Sequence, residues 1–394
     1  MRFALNATQV RAAKSGVGQY IHALAEAMSA PLAESCDRLT VLCSPENEQN
    51  YRPAPPLIAG AESHVTTRVW GLPQRLKPLR LAHQHLALPG FVAKAGFDVL
   101  HGASNFLPAF RARGCRYVVT IHDLSYHVHP ERCPPARRAY WYAMTARTVA
   151  VADAIIADSE NTRRDLLRFF PKLNRPGAPP LHVVPLASHR RFSPAPAGSE
   201  TERPASLTPL GGRPYLLYVG TLEPGKNLVR AIEAFDRIAD RFPDHLLVLA
   251  GDRGWMFEDI FRAMSHARAT DRIVHLGHVT DDTVVDLMRH CEAFVYPSRY
   301  EGFGLPPLEA MACGAPVVCS NAASLPEVTG DAALSVDPDR PGDLEDALAA
   351  VLGDPALRAR LRTAGLVRAA SFDWRTTASR TLGVYRGDAP RVAL

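Results

Sequence analysis

Short apolar runs alternate with amphipathic stretches along almost the whole chain of 394 residues. The apolar runs predict strands and the amphipathic stretches predict helices. Strands that alternate with helices form βαβ units, and successive units build a parallel sheet. In the first part of the chain the predicted strands are Arg2–Asn6, Leu39–Cys43, Val65–Val69, Asp98–His101, Arg116–Ile121, Ala154–Ala157 and Leu181–Val184. The predicted helices there include Gly18–Met28, Ala136–Val151 and Glu160–Phe170.

A stretch rich in proline and glycine, Phe192–Pro214, interrupts this alternation and predicts an interdomain linker at 196–214. The pattern then restarts, with a helix predicted at Asn227–Arg241. The predicted strands of this second part are Tyr215–Val219, His245–Ala250, Ile273–Leu276, Ala293–Tyr296 and Pro316–Ser320. We therefore predict an α/β protein with two doubly wound, Rossmann-like domains, at 1–195 and 215–371, that face each other across a cleft.

The composition excludes several classes of protein. Hydrophobic residues make up 47% and charged residues 22% of the chain, as in ordinary soluble globular proteins. The net charge of +5 allows phosphate-bearing ligands, but the sequence has no basic stripe with interleaved aromatic residues, so we expect no binding to nucleic acid. The seven cysteines form no CxxC pair, and the N-terminus does not look like a signal peptide. Since the sequence also has no apolar run of about 18 residues, we expect a cytoplasmic protein with reduced thiols.

The segment Tyr296–Pro316, with the sequence YPSRYEGFGLPPLEAMACGAP, carries the richest pattern in the chain. A strand ends at its start, Gly302 and Gly304 allow a tight turn, and Pro306 or Pro307 suits the first position of a helix. The turn and the helix N-terminus would present unpaired N–H groups and the positive end of the helix dipole. This combination favours the binding of a diphosphate.

Two glutamates frame this turn. Glu301 precedes the glycines, and Glu309 is predicted in the first turn of the helix. Each alone has a structural explanation, because an acidic residue favours a helix N-terminus and a loop glutamate is commonly solvated. Together with the glycines and prolines, they predict a pocket that accepts hydrogen bonds from sugar hydroxyl groups.

A second segment, Tyr218–Leu228 with the sequence YVGTLEPGKNL, follows the first strand of the second domain and opens a helix. Its Lys226 is placed to reach a phosphate group, although a solvated lysine at a helix start is the alternative.

Both segments resemble the retaining glycosyltransferases of family 4, which have the GT-B architecture and an EX7E signature. In that family the second glutamate binds the nucleotide ribose, the first contacts the donor sugar, and the backbone between them holds the distal phosphate and the sugar. The resemblance implies these roles for Glu309, for Glu301 and for Gly302–Leu305, respectively.

The second segment departs from the family pattern at two positions. Many relatives have arginine where this chain has Gly225, and others have arginine directly after the first glycine, where this chain has Thr221. Lys226 is then the only cation in the loop, unless Arg299 or Arg253 compensates.

The first part of the chain has a glycine pair and two histidines near predicted strand ends. A lone GxG motif such as Gly16 and Gly18 is as typical of a simple loop, but relatives have a GIGRY-like loop here that approaches the phosphates and the donor sugar. His122 and Asp123 match the family pattern THDL, whose histidine lies near the transferred sugar. His101 is either structural or, with Asp123, on the acceptor side.

Taken over both parts of the chain, the resemblance implies that the catalytic residues are His122, Glu301 and Lys226. The implied donor-binding residues are Gly16, Gly18, Gly220, Thr221, Lys226, Arg299, Glu301, Gly302, Phe303, Gly304, Leu305 and Glu309.

We expect that the reaction needs no metal ion and no other cofactor. His127, His129 and Cys133 have a spacing that fits no standard zinc site, and no DxD-type pair of carboxylates is placed to hold a cation. Backbone amides, the helix end and Lys226 would instead stabilise the charge on the departing diphosphate.

The stretch Leu72–Ala95 carries Arg75, Lys77 and Arg80 among leucines and alanines. A basic amphipathic stretch can rest on an anionic membrane surface, so peripheral contact with the inner face of the membrane is one hypothesis. The prolines of this stretch are expected to prevent a long helix, and a packed surface loop with one helix is the alternative.

The resemblance covers nearly the whole chain, including a C-terminal helix at 372–388 that in relatives crosses back to the first domain. It implies transfer of a hexose from a nucleoside-diphosphate sugar with retention of the anomeric configuration. Relatives with these patterns often use GDP-mannose to build surface polysaccharides such as O antigen, which favours that donor and a glycan or lipid-linked oligosaccharide acceptor. The alternatives are a GT-B nucleotide-sugar 2-epimerase and a scaffold subunit that binds nucleotide sugars without turnover.

Overall fold

The computed structural model describes residues 1–10, 16–51, 63–73, 75–133, 135–196, 198 and 204–388. Its contacts divide the chain into two compact units. The N-terminal unit comprises Met1–Leu186 together with the end of the chain from Asp373, and the C-terminal unit comprises Ala187–Phe372. The described residues of each unit form a parallel sheet with helices around it.

Seven strands form the sheet in the described part of the N-terminal unit. They are β1 (Arg2–Asn6), β2 (Arg38–Cys43), β3 (Val65–Val69), β4 (Val99–Gly102), β5 (Arg116–Ile121), β6 (Ala154–Ala157) and β7 (Leu181–Val183). The helices are α1 (Gly16–Ser35), α2 (Lys77–Ala95), α3 (Ser125–Val128), α4 (Pro135–Val151) and α5 (Glu160–Phe169). The strand order is β3-β2-β1-β4-β5-β6-β7. Strand residues such as Leu5, Leu100 and Val118 are completely buried, as expected for a parallel sheet that is covered on both faces.

The described part of the C-terminal unit contains a six-stranded sheet. Its strands are β8 (Tyr215–Val219), β9 (Leu246–Ala250), β10 (Ile273–Gly277), β11 (Ala293–Tyr296), β12 (Val317–Ser320) and β13 (Ala333–Val336). Its helices are α6 (Leu228–Ile238), α7 (Glu258–His266), α8 (Asp281–His290), α9 (Leu305–Ala312), α10 (Leu325–Thr329), α11 (Pro341–Gly353) and α12 (Pro355–Ala370). The order β10-β9-β8-β11-β12-β13 reverses direction between β8 and β11, and such a switch point is where open α/β sheets bind ligands.

The last helix of the described chain, α13 (Trp374–Arg386), belongs to the N-terminal unit. The Arg116 guanidinium donates hydrogen bonds to the carbonyl oxygens of Val384 (2.9 Å) and Tyr385 (3.0 Å). The Tyr385 ring is buried, with its centroid 5.0 Å from that of Phe3 in β1. The end of the chain is therefore part of the core around the first sheet.

The proline- and glycine-rich stretch lies inside the C-terminal unit, because the boundary between the units falls at Leu186–Ala187. Residues Ala205–Leu210 form a 3-10 helix that buries Leu207 and Leu210. The hydroxyl of Ser206 also donates a 2.6 Å hydrogen bond to a carboxylate oxygen of α8. These contacts attach the described second half of the predicted 196–214 linker to the C-terminal unit.

Helix α2 is longer than the sequence predicts. The prolines between Leu72 and Ala95 do not prevent a helix of 19 residues, which contains Pro89 in its interior. A proline at the start of a helix is tolerated, and Pro89 removes one backbone hydrogen bond. Leu88 and Val92 of the same helix are completely buried, and their burial outweighs this local cost.

Candidate functional site

Two loops meet at the carboxyl edge of the second sheet. The first, 220–227, follows β8, and the second, 297–304, follows the adjacent strand β11. The carbonyl oxygen of Gly225 accepts a hydrogen bond from the Arg299 backbone N–H (3.0 Å) and lies 3.2 Å from the Ser298 hydroxyl oxygen. These contacts join the two loops at the switch point of the strand order.

The side chains of Lys226 and Glu301 form an ion pair between these loops. The Lys226 amine lies 2.6 Å from Glu301 Oε1 and 3.3 Å from the hydroxyl of Tyr296. The Ser298 hydroxyl donates a further 2.6 Å hydrogen bond to the same carboxylate oxygen. Only 19% of the lysine side chain and 14% of the glutamate side chain are exposed, so removing either partner would leave a poorly hydrated charge.

The charge on Lys226 is stabilised by its surroundings. Burial acts to lower the pKa of the amine, but the surrounding groups, with the Glu301 carboxylate first among them, together raise that pKa above its ordinary value. Glu223 acts in the same direction, and its carboxylate accepts a 3.0 Å hydrogen bond from the backbone N–H of Gly225. Lys226 therefore stays a cation throughout the physiological pH range.

The glycine turn before α9 has the geometry that the sequence predicts. Gly304 has a φ of 116°, and a Cβ atom there would lie 2.8 Å from Cδ2 of Leu325. The single hydroxyl proton of Ser324 is shared between the carbonyl oxygens of Glu301 (2.9 Å) and Phe303 (2.7 Å). The turn is thus anchored through its carbonyl groups to the segment that follows β12.

The amide groups at the start of α9 come mainly from the turn itself. The helix begins at Leu305, and Pro306 and Pro307 at its next two positions carry no N–H group. The Leu308 N–H donates back to the Gly304 carbonyl oxygen (3.4 Å). Of the first three helix positions, only Leu305 therefore carries an N–H group that could face an anion.

Glu309 lies one or two residues deeper in α9 than the sequence predicts. Because the helix begins at Leu305 and not at a proline, Glu309 is its fifth residue and is buried. Burial raises the pKa of the Glu309 carboxyl to about 8, with a smaller contribution from Asp281 and an opposing one from Arg191. The carboxyl group is therefore mostly protonated near pH 7 and is able to donate as well as accept a hydrogen bond.

The two arginines considered as substitutes for a missing loop cation have other partners in the C-terminal unit. The Arg299 Nε atom lies 3.2 Å from a carboxylate oxygen of Asp339. The Arg253 guanidinium lies 4.5 Å from the ring centroid of Phe261, although its backbone pairs with the 220–227 loop. Gly220 and Thr221 begin that loop, and the Thr221 side chain is exposed. The backbones of both arginines thus contact the 220–227 loop, whereas their side chains contact Asp339 and Phe261.

In the N-terminal unit, four neighbours hold His122, which follows β5. Its Nδ1 atom lies 2.5 Å from Asp158 Oδ2, and its Nε2 atom lies 3.0 Å from the Ala103 carbonyl oxygen. Its backbone N–H donates to Asn105 Oδ1 (2.6 Å), and its carbonyl oxygen accepts from the Thr162 hydroxyl (3.2 Å). The ring is only 12% exposed.

His101 has the surroundings that the structural alternative predicts. It is completely buried, and its ring nitrogens lie 2.6 Å from the Tyr385 hydroxyl and 2.8 Å from the Thr120 hydroxyl. Burial lowers the pKa of His101 to about 3, with a smaller contribution from His122. The ring is therefore neutral, and no atom of it is available to an acceptor.

The other expected residues of the N-terminal unit have local roles in the structure. One carboxylate oxygen of Asp123 accepts hydrogen bonds from the backbone N–H (2.9 Å) and the hydroxyl (2.7 Å) of Ser125. Gly16 and Gly18 both lie in the first turn of α1, which begins two residues earlier than predicted. The residues just before them, 11–15, lie outside the described part of the chain.

His127, which the sequence analysis considered as a metal ligand together with His129 and Cys133, lies in an aromatic cluster. Its ring centroid is 4.3 Å from that of Tyr142 and 5.1 Å from that of Phe169. Burial lowers the pKa of His127 to about 4. The surroundings of this histidine are thus apolar.

Sequence reasoning missed Asp158, which contacts His122. Asp158 directly follows the buried strand β6 and precedes Ser159, whose hydroxyl caps α5 by accepting the Thr162 N–H (3.0 Å). A polar residue at the carboxyl end of a parallel strand is a recognisable signal, because such ends gather at one edge of the sheet.

Known proteins share both the sequence pattern and the fold. Residues 14–186 match the family described as Glycosyltransferase Family 4, and residues 199–367 match Glycosyl transferases group 1. The chain is 34% identical to O-antigen chain mannosyltransferase B of Escherichia coli over 326 residues. The aligned region covers 79% of this chain and 81% of that protein. Its fold is similar to sucrose-phosphate synthase from Thermosynechococcus elongatus, with a TM-score of 0.74, 21% identity and 98% of each chain covered. It is also similar to Anabaena Alr3699/HepE in complex with UDP-glucose, with a TM-score of 0.74, 16% identity, and 98% of this chain and 100% of that chain covered.

Proposed function

Because this chain belongs to the family 4 glycosyltransferases, we propose that it transfers a hexose from a nucleoside-diphosphate sugar to an acceptor hydroxyl group with retention of the anomeric configuration. The observation that carries this proposal is the arrangement at the switch point of the second sheet. A charged lysine, a paired glutamate and the amides of a glycine turn lie together there, although 75 residues separate Lys226 from Glu301. This set suits a diphosphate joined to a sugar.

In the proposed reaction the bond between the anomeric carbon and the diphosphate oxygen breaks, and a bond from the acceptor oxygen to that carbon forms on the same face. The acceptor's hydroxyl proton passes to the departing diphosphate. Negative charge therefore grows on the phosphate, where Lys226 and the amides of Gly302–Leu305 would stabilise it electrostatically. We propose that these groups replace a metal ion. Glu301 would accept hydrogen bonds from the sugar, Glu309 would bind the ribose, and His122 would lie near the transferred sugar.

We propose GDP-mannose as the donor and a glycan or a lipid-linked oligosaccharide as the acceptor. The support is the 34% identity to a protein named O-antigen chain mannosyltransferase B, which extends over most of both chains. The rival donor is UDP-glucose, which a structural neighbour of only 16% identity binds. The two donors differ in base and in the configuration at C2 of the sugar, so direct measurement separates them.

The first test is thermal unfolding of the full chain with GDP, UDP, ADP and their common sugar conjugates, in the presence of EDTA. We expect the unfolding temperature to rise with the guanine series, since a ligand that binds the folded state stabilises it by mass action. The rise should disappear in Lys226→Ala, because that substitution removes the loop cation and leaves Glu301 buried without its partner. Arg262→Ala is the matched control, because Arg262 is an exposed cation of the same unit, with a side chain that is 66% exposed.

A transfer assay with the nucleotide sugar that binds then tests the reaction itself. Release of the nucleoside diphosphate should depend on an acceptor glycan, and the product should keep the donor's anomeric configuration. Tight nucleotide binding without turnover would favour the scaffold alternative, and interconversion of the donor without acceptor would favour the epimerase. If no nucleotide raises the unfolding temperature, the proposed donor site is wrong.

We also propose that α2 rests on an anionic membrane surface. Leu79 and Leu86 of this helix are 60% and 67% exposed, and their spacing of seven residues places them on one face. Arg75 is exposed just before the helix, and the helix sequence contains no acidic residue. Among the described residues, no helix combines the length and the apolar character needed to cross a bilayer. An interfacial position accounts for the exposure of these apolar side chains.

Flotation with vesicles of anionic phospholipid tests this contact. We expect the chain to float at low salt and to be released at high salt or by Leu79→Asp combined with Leu86→Asp. Val367→Asp is the control, because Val367 is 71% exposed on the C-terminal unit. A chain that stays unbound at low salt would contradict the proposal.

A further inference from the structure

A buried carboxylate, Asp158, contacts the histidine to which the family resemblance points. Only 2% of the Asp158 side chain is exposed, and its Oδ2 atom lies 2.5 Å from His122 Nδ1. Its other oxygen, Oδ1, is buried without a hydrogen-bond partner among the described residues. In a carboxylate that served only to hold the fold together, both oxygens would be expected to accept hydrogen bonds.

The partners of the two ring nitrogens determine where the protons lie. The Ala103 carbonyl oxygen only accepts hydrogen bonds, so Nε2 of His122 carries a proton. The short contact between Nδ1 and Asp158 Oδ2 requires a second proton between those two atoms. The His122–Asp158 pair therefore holds one more proton than a neutral imidazole beside a carboxylate.

The charged and titratable groups around His122 come from several elements. They are Asp158, which follows β6, Asp123, which lies next to His122 after β5, Tyr20 of α1 and His101 of β4. Burial lowers the pKa of His122, but the charge and hydrogen bond of Asp158 outweigh burial and raise it, with help from Asp123. Tyr20 and His101 are both neutral near pH 7, because burial raises the pKa of Tyr20 and lowers that of His101.

We propose that Asp158 is a positioning residue that keeps His122 protonated and in one orientation, so that His122 acts on a bound sugar by its charge and not as a general base. This inference rests on the proposed glycosyl transfer, in which His122 lies near the transferred sugar. Because protein groups already occupy both ring nitrogens, neither offers a lone pair to the acceptor hydroxyl. The turn from β6 into α5 supports the same orientation, since the Thr162 hydroxyl also holds the His122 carbonyl oxygen.

The first experiment is nitrogen NMR of the full chain with ¹⁵N-labelled histidine, with the His122 signals assigned by their loss in His122→Gln. In the wild type we expect both ring nitrogens to be protonated at pH 7. In Asp158→Asn we expect His122 to lose its Nδ1 proton below the ordinary histidine pKa of about 6.5, because the main contribution that opposes burial is then removed. Unchanged titration of His122 in Asp158→Asn would overturn the proposal, whether or not the chain transfers sugar.

The second experiment is the pH dependence of kcat with the donor that the thermal shifts identify. The wild-type kcat should fall only as pH rises past the raised pKa of His122, and in Asp158→Asn the fall should move to lower pH. At pH 7 we expect kcat of Asp158→Asn to be about 100-fold lower, with KM for the donor within about twofold.

Tyr126→Phe is the matched control, because it removes another buried hydrogen bond of the same unit, the 2.6 Å bond to Thr145. It should lower the unfolding temperature and leave the pH profile of kcat unchanged. If Asp158→Asn behaves in the same way, Asp158 is merely structural. A wild type that transfers no sugar would refute the proposed function, and the NMR titration would still decide the pairing of Asp158 with His122.

Discussion

The two glutamates of the candidate donor site have different surroundings, although the sequence presents them as a pair. Glu301 lies 2.6 Å from a lysine amine, and Glu309 is buried in α9, where burial raises its pKa to about 8. We infer that Glu301 acts as an acceptor of hydrogen bonds and that Glu309 also donates one.

The raised pKa of Glu309 makes the stability of the C-terminal unit depend on pH. Between the ordinary glutamate pKa and about pH 8, the folded state binds this proton more tightly than the unfolded state. The free energy of unfolding should therefore fall as pH rises through this window, by up to about 1.4 kcal/mol per pH unit. Glu309→Gln cannot titrate, so it should lose less stability than the wild type between pH 6 and 8 in urea unfolding. Glu258→Gln, at an exposed position of the same unit, should follow the wild type, and an equal loss in Glu309→Gln would contradict this assignment.

At the level of elements, the turn before α9 depends on one backbone conformation. Gly304 has a positive φ, and the two prolines that follow it leave the turn as the main source of N–H groups at the helix start. Ser324 holds two carbonyl groups of the same turn. The shape of the turn and its capacity to bind an anion are thus linked.

Gly304→Ala should therefore weaken both the fold and nucleotide binding. The new Cβ would lie 2.8 Å from the buried Leu325 side chain, and the left-handed backbone conformation disfavours alanine. We expect the free energy of unfolding to fall by about 1–3 kcal/mol and the thermal shift with nucleotide to shrink. Gly342→Ala is the control, because Gly342 has open space around it in the first turn of α11. That variant should be neutral or slightly more stable, and equal behaviour of the two variants would refute the argument.

At the scale of the whole molecule, the N-terminal unit is built from both ends of the chain. The Tyr385 hydroxyl of α13 lies 2.6 Å from His101 Nδ1, and 284 residues separate the two. Arg386 likewise pairs with Asp37 at a distance of 2.7 Å. The core around the first sheet is therefore complete only when the last described helix has packed against it.

Tyr385→Phe should destabilise the N-terminal unit and leave the donor site of the C-terminal unit intact. The substitution leaves a ring nitrogen of His101 buried without a partner, which costs about 1–3 kcal/mol. Hydrogen exchange should rise in β1, β4 and α13, because a chain of two units need not unfold in one step. The thermal shift with nucleotide should persist. Tyr140→Phe, at a half-exposed position, is the control, and unchanged exchange in Tyr385→Phe would contradict the argument.

The amino-acid sequence by itself determined most of the elements and the family. The predicted strands agree with the observed ones to within about two residues, because strands buried on both faces are local apolar runs. The glycine turn and the two glutamates were also evident, since turn chemistry depends on neighbouring residues. Strand β13 was missed, and of its residues only Val336 is fully buried.

Only the tertiary structure decided which polar residues act together. His101 and His122 both lie at the carboxyl ends of strands and look equivalent in sequence, yet one is enclosed by Tyr385 and Thr120 and the other is paired with Asp158. The length of α2 also depends on the tertiary structure, because the burial of Leu88 and Val92 outweighs the cost of Pro89 inside the helix. A local pattern records the preference of a segment, whereas pairing and burial depend on residues far away in the chain, which meet only when the sheets have formed.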